Sequence, residues 1–153
     1  MTKMPQQLRS ETLELVNGGV AGKGADGTPV GALIALWLKS LDDEDLADTL
    51  PASLAPVLVE GFTAAARRTV PGAQIATLRY ADGRGGNATA LLVLNDDMPY
   101  LVDSIVMVLR RRKVQVNGVL NAVLPVTRDA NGAVTAAGEP GAKLESYVLC
   151  LLA

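Results

Sequence analysis

Apolar side chains recur at helical spacing between residues 30 and 70. Residues 33–41 predict a dense apolar helix, and the acidic run 42–45 marks its stop and the start of a new turn. A further helix is predicted over about residues 51–69, where apolar positions recur every three or four residues and arginines close the last turn. Residues 30–70 are therefore predicted to form a helical subdomain.

The first 29 residues carry a different pattern. Residues 3–17 have loosely spaced apolar positions and predict a short amphipathic helix. The stretch 18–29, GGVAGKGADGTP, holds five glycines, and their backbone entropy opposes a helix or a strand. We therefore predict a flexible N-terminal segment and linker over residues 1–29.

After residue 71 the period of the apolar positions changes to that of strands. The predicted elements are strands at 75–80 and 88–94, a helix opened by Pro99, a strand at 114–127, a hairpin turn at Asn131-Gly132, and a strand at 147–152. The hairpin turn implies a further strand after residue 132, so the order is strand, strand, helix, strand, strand, strand. It suits an α+β sheet with a helix on one face.

Length and composition bound the classes of function. The chain has 153 residues and an apolar fraction of 49%, which is enough for a single core. With 14 basic against 16 acidic residues, neither nucleic acid nor an anionic membrane is expected as a partner. No apolar run reaches the roughly 20 residues of a membrane-spanning helix, and no secretory signal opens the chain. A cytoplasmic protein is expected, and the lone Cys150 agrees with a reducing compartment.

The chain contains no histidine. This excludes a Ser-His-Asp or Cys-His pair and any His-containing zinc site, and the single cysteine excludes a Cys-rich metal site. Only carboxylate, lysine or tyrosine chemistry is left. We therefore predict no catalytic residue and no metal site. Trp37 and Phe62 are predicted to be core residues.

The polar run Asn95-Asp96-Asp97 separates a predicted strand from the helix that Pro99 opens. A strand-to-helix turn presents free amides that receive a ligand carboxylate, while acids beside it receive an ammonium group. The structural alternative makes Asp97 or Asp96 the N-cap of the helix, a contribution of roughly 1 kcal/mol. The two interpretations are compatible. The candidate effector-binding residues are Asn95, Asp96, Asp97 and Tyr100.

Two other motifs have competing interpretations. Residues 22–27 match G-x-G-x-x-G, with Asp45 near the distance of a ribose-binding acid, but the preceding residues look helical and Pro29 follows. A dinucleotide loop needs a strand before it and a helix after it, so no cofactor is assigned to this chain. The cations at 110–113 suit a phosphate or an acidic partner surface, and equally the carbonyl end of a helix.

The stretch 95–105, NDDMPYLVDSI, continues to the arginines at 110–112 and closely resembles the N-terminal ACT-like module of large bacterial NAD-specific glutamate dehydrogenases. The flanks agree over most of residues 30–150. The resemblance implies a parent enzyme that oxidises L-glutamate to 2-oxoglutarate and ammonia with NAD, in a dehydrogenase domain downstream of this module. The chain itself would be a regulatory or assembly module without cofactor. Its partners would be the remaining domains and an amino-acid effector.

The resemblance also implies an α+β fold, in which N-terminal helices precede an ACT-like (ferredoxin-like) antiparallel sheet with a helix on one face. A ferredoxin-like order is strand, helix, strand, strand, helix, strand, and the chain ends where the second helix would begin. The module over residues 71–153 is therefore expected to be incomplete. An exposed strand edge at 146–152 would be a pairing template, which predicts a homo-oligomer or cover by the N-terminal helices. A stand-alone amino-acid sensor is the alternative function.

Overall fold

The computed structural model describes residues 3–18 and 28–153. Its elements follow the predicted order. They are α1 (Pro5–Asn17), α2 (Pro29–Ser40), α3 (Asp43–Leu46), α4 (Pro51–Ala65), β1 (Gln74–Ala81), β2 (Asn87–Asp96), α5 (Leu101–Arg111), β3 (Val116–Arg128), β4 (Val134–Ala137) and β5 (Leu144–Leu152). The predicted α+β class is confirmed. None of the helices in these described ranges has the length and apolar character needed to cross a membrane.

All five strands form one antiparallel sheet with the order β1-β2-β5-β3-β4. β5 lies at its centre, paired with β2 on one side and with β3 on the other. The prediction that residues 146–152 form an exposed edge is therefore wrong. The uninterrupted apolar run of β5 is instead that of a strand buried on both faces.

The main core lies between one face of the sheet and the N-terminal helices. Trp37 of α2, Phe62 of α4 and Tyr147 of β5 are fully buried there. Phe62 makes an edge contact with Trp37 at 5.4 Å and a stacked contact with Tyr147 at 5.3 Å between ring centroids. The Trp37 indole donates to the Tyr147 carbonyl oxygen at 3.0 Å. The prediction that Trp37 and Phe62 are core residues is confirmed.

In the described part of the chain, α5 is the one helix that covers the opposite face of the sheet. Among the described residues, the apolar side chains buried beneath it are those of Val93, Val148 and Cys150, and α5 itself has no fully buried residue. Ile105 and Leu109 pack on this small cluster. Val108 lies at the margin of the apolar stripe of α5 and is exposed.

The segment predicted to be flexible contains α1, which confirms the predicted helix at residues 3–17. Leu8 and Val16 of α1 are buried in the main core. The glycine-rich stretch at 19–27, with the G-x-G-x-x-G match, lies outside the described residues. The predicted domain boundaries at residues 29 and 70 stay predictions.

Candidate functional site at the end of β2

The candidate residues Asn95 and Asp96 end β2, directly opposite Ser146 and Glu145 of β5. Because the side chains of successive residues in a strand point to opposite faces of the sheet, Asn95 lies on the α5 face and Asp96 on the main-core face. Arg68, which follows α4, reaches both from the end of the strand. Its guanidinium lies 2.6 Å from Asp96 Oδ1 and 3.4 Å from Asn95 Oδ1.

Asp96 forms ion pairs and does not cap a helix. Besides Arg68 it contacts Lys143, whose Nζ lies 3.1 Å from Oδ2. The hydrogen bonds from Arg68 and then Lys143 lower the pKa of the Asp96 carboxyl below its usual range. The helix begins at Leu101, and its N-cap is Tyr100, which provides no side-chain hydrogen bond. The prediction that Asp96 or Asp97 is the N-cap is therefore wrong.

The chain before α5 stays extended for a physical reason. The Asp97 amide donates to the Leu144 carbonyl oxygen at 3.1 Å, which continues the pairing of β2 with β5 by one residue. The helical turn then starts only after Tyr100, which adopts a left-handed conformation with φ 63°. The pairing of Asp97 with β5 therefore overrides the preference of aspartate for the N-cap position.

Next to Asp96, Glu145 is almost fully buried, at 2% exposure. Arg128 binds it in bidentate fashion, with Nε 2.9 Å from Oε2 and Nη2 3.0 Å from Oε1. The Tyr147 hydroxyl donates to Oε1 at 2.8 Å, and Arg68 Nη1 lies 3.3 Å from Oε2. Burial, and then the Glu145 charge, raise the pKa of the Tyr147 phenol. The buried carboxylate is thus compensated by two cations and a hydroxyl.

These four residues, Arg68, Arg128, Glu145 and Tyr147, form an arginine–carboxylate network. The network also donates hydrogen bonds to backbone carbonyl groups. Arg128 Nη2 donates to the Ala65 carbonyl oxygen at 3.1 Å, at the last residue of α4, where carbonyls lack helical partners. Arg128 Nη1 donates to the Gly132 carbonyl oxygen at 2.6 Å in the β3–β4 turn. The Arg68 amide donates to that same oxygen at 2.9 Å. The network therefore fixes the end of α4 to the sheet, which is why α4 stops at Ala65 and not near residue 69.

The junction between the end of α4 and the β3–β4 turn is tightly packed. Gly132 has φ +80°, and a Cβ there would collide with the Arg68 carbonyl oxygen. The buried Nε of Arg68 has no hydrogen-bond partner among the described residues, although its Nη groups are engaged. The site is compact, and its charges are directed at one another.

Of the four candidate residues, Asn95, Asp97 and Tyr100 keep side chains that a ligand can reach. Asn95 Oδ1 accepts from the Asp96 amide at 2.9 Å, while its Nδ2 donates only a weak contact to Met98 Sδ at 3.5 Å. Asp97 is exposed, and the Tyr100 side chain is 78% exposed. They surround the uncapped N-terminus of α5, whose amides point to this end of the sheet. The Asp96 carboxylate is instead already paired with Arg68 and Lys143.

Sequence reasoning did not single out Arg128 or Glu145 as site residues. A signal existed for Glu145, because it is the one carboxylate at the start of the otherwise apolar β5. Its partner could not be identified by spacing alone, since Arg128 pairs with it only through the fold.

A second concave region lies at the opposite end of the sheet. It is a cleft of about 740 Å³ whose lining includes Glu44, Asp45, Tyr80 and Asp82. Burial, and then Asp42 and Glu44, raise the pKa of Asp45. The Arg84 and Gly86 amides bind the Asp82 carboxylate and lower its pKa. No cluster of three or more acids or cysteines in the described ranges is arranged to hold a metal ion.

A family model described as "Glutamate dehydrogenase, ACT1 domain" matches residues 33–152, from α2 to β5. No curated protein and no solved structure matches the chain.

Proposed function

Since the chain belongs to the glutamate dehydrogenase ACT1 domain family, we propose that it is the regulatory and assembly module of a cytoplasmic NAD-specific glutamate dehydrogenase. The parent enzyme would oxidise L-glutamate to 2-oxoglutarate and ammonia with NAD in its dehydrogenase domain. The module would turn over no substrate by itself.

The observation that carries the proposal is that the charged groups of the arginine–carboxylate network are bound to one another. A general acid or base must lie within reach of a substrate proton, whereas both oxygens of Glu145 are occupied by Arg128 and Tyr147. The buried charges hold α4 against the sheet. This arrangement serves to position elements for partners, and it supports a module that works through the remaining domains of the parent enzyme.

The effector function is proposed for the turn that joins β2 to α5. The free amides of α5 at Leu101 and Val102 suit an amino-acid carboxylate, and the exposed Asp97 suits its ammonium group. Asn95 and Tyr100 flank this position. Asp96 keeps an indirect role, because its pairs with Arg68 and Lys143 fix the end of the strand.

The exposed Tyr100 with its left-handed backbone favours one alternative, a stand-alone amino-acid sensor. A residue held in that conformation costs of order 1–3 kcal/mol and often marks a functional position. Both functions use the same turn, but only the sensor would act without the parent enzyme.

Two measurements test these proposals. The pure chain with glutamate and NAD should form no NADH, and any turnover would contradict a non-catalytic module. Thermal unfolding against the twenty amino acids and NAD should show a raised Tm with one amino acid, by mass action, and none with NAD.

The shift should disappear in Asp97→Asn and persist in the control Asp103→Asn, which removes an exposed charge within α5. No shift with any amino acid at millimolar concentration would remove the sensor and the effector role, and would leave a packing module.

A further inference from the structure

The two edges of the sheet differ in how they are protected against pairing. β4 has only four residues, its register with β3 shifts at Thr127/Arg128, and it packs against α2. Short strands, bulges and covering elements are the usual protections of an edge. β1 has eight residues in unbroken register with β2, contains no proline, and carries only one charged residue, Arg79. β1 is therefore the unprotected edge.

The hydrogen-bonding groups of β1 that point outward can be identified. The Asp82 amide donates to the Gly86 carbonyl oxygen at 3.1 Å, one step beyond the pair Ala81 and Asn87. Inward and outward positions alternate along an antiparallel pair, so the odd-numbered residues of β1 direct N–H and C=O away from β2. None of these outward groups has a backbone partner in the described part of the chain. They belong to Ile75, Thr77, Arg79 and Ala81.

The side chains at these positions are also open. They share the α5 face of the sheet, but α5 packs over β2, β5 and β3 and leaves β1 uncovered. Ile75 is 61% exposed. β1 thus presents free main-chain groups and an exposed apolar side chain along one border.

We propose that β1 pairs antiparallel with β1 of a second copy of this chain, about a two-fold axis at Thr77. This inference builds on the assembly role proposed above. In this register Thr77 lies opposite Thr77, and Ile75 of each copy lies opposite Arg79 of the other. About six main-chain hydrogen bonds form, and the two sheets become one continuous sheet with α5 on the same face in both copies.

The register follows from the side chains. Threonine pairs across strands are favourable, while like charges directly opposite are destabilising, which disfavours an axis at Arg79. An axis at Thr77 instead lays the exposed Ile75 against the methylene groups of Arg79. The same strand therefore complements itself, which identifies a second copy as the occupant. Such an edge buries less area than a standard interface, so the association is weak and depends on concentration.

Sedimentation velocity of the full chain from about 10 μM to about 1 mM, the range of weak complexes, tests this. The wild type should shift from monomer towards dimer. Thr77→Lys places two ammonium groups face to face and should weaken association roughly tenfold or more. Thr135→Lys, the same change at an exposed position of the protected edge β4, should leave association unchanged.

Cross-linking tests the register. Two cysteines at opposed hydrogen-bonded positions have Cα atoms about 5.5 Å apart, within the range of a disulfide. Thr77→Cys should therefore form a disulfide-linked dimer on mild oxidation, and Ile75→Cys should not. Cys150 is fully buried and does not interfere.

A wild type that stays monomeric at about 1 mM, beyond the range of weak complexes, overturns the pairing. A Thr77→Lys variant that keeps its fold and associates like the wild type does so too, as does equally fast cross-linking through Ile75→Cys. A monomeric chain whose Tm still rises with an amino acid would leave the effector role standing.

Discussion

The two faces of the sheet are built from the same strands and yet bury very different numbers of apolar side chains. The face towards α1, α2 and α4 buries four aromatic rings and most of the buried apolar residues of the described chain. The face towards α5 buries only three apolar side chains among the described residues, those of Val93, Val148 and Cys150. Seven of the eleven exposed large apolar side chains among the described residues lie on or beside the α5 face. One face therefore stabilises the fold, and the other is left available for contacts.

The arginine–carboxylate network belongs to the first face and the candidate effector turn to the second. Neighbouring residues of β2, Asp96 and Asn95, mark the division. Charges on the first face are paired with one another, whereas the polar groups near Tyr100 remain open. Variants matched across the two faces test this division.

The largest effect is expected for Phe62→Ala. It removes a ring that contacts both Trp37 and Tyr147 in the main core, and should lower the free energy of unfolding by about 3–5 kcal/mol. The matched change Met107→Ala on α5, where the side chain is 47% exposed, should cost no more than about 0.5 kcal/mol. Denaturant unfolding followed by circular dichroism measures both. Equal losses would contradict the division of the faces.

Glu145→Ala should come next, with a loss of about 3 kcal/mol, because it leaves Arg128 buried without its carboxylate. Glu139→Ala, which removes an exposed carboxylate before β5, is the control and should be nearly neutral. Chemical denaturation at pH 7 gives both values. A neutral Glu145→Ala would show that the network does not fix α4 to the sheet.

Gly132→Ala should destabilise by about 2–3 kcal/mol, since it combines a positive φ with a collision against the Arg68 carbonyl. Gly141 also has φ +80° but has no atom within 4 Å of an added Cβ. Gly141→Ala should therefore cost only about 1 kcal/mol, the strain alone. Thermal unfolding of the two variants separates close packing from backbone strain, and equal shifts in Tm would contradict the tight junction.

The smallest effect concerns pH. The folded pKa of Asp96 lies below its usual value of 3.8, so its pairs stabilise the fold above that pH and are lost as pH falls through the folded pKa. Because the Asp96 side chain is 46% exposed, the contribution should be below about 1 kcal/mol. Urea unfolding from pH 7 to pH 2 should show a difference between wild type and Asp96→Asn that shrinks below pH 4. A constant difference would contradict the ion pairs.

Much of the fold could be predicted because the period of the apolar positions is local information. The change from helical to strand spacing near residue 71 located β1, β2, α5, β3 and β5 within a few residues. The position of β5 in the sheet was not local, since it depends on pairing with β2, some fifty residues earlier. An apolar run alone does not distinguish an edge strand from a central one.

The candidate site was predictable only in part for the same reason. The polar turn at 95–97 was visible, but the partners of Asp96 lie at Arg68 and Lys143, which only the fold brings together. Asp97 had the residue preference of an N-cap, and the backbone bond to Leu144 overrode it. The candidate residues Asn95, Asp96, Asp97 and Tyr100 stay a prediction until an effector is tested.

The single tryptophan and the single cysteine of the chain lie on opposite sides of the sheet. Trp37 is packed against Phe62 in the main core, and Cys150 is buried beneath α5, where burial raises the pKa of its thiol. Indole fluorescence therefore reports on one layer and thiol labelling on the other, without any introduced probe. Labelling of Cys150 that is faster than global unfolding would measure how often α5 lifts away while the tryptophan layer stays intact.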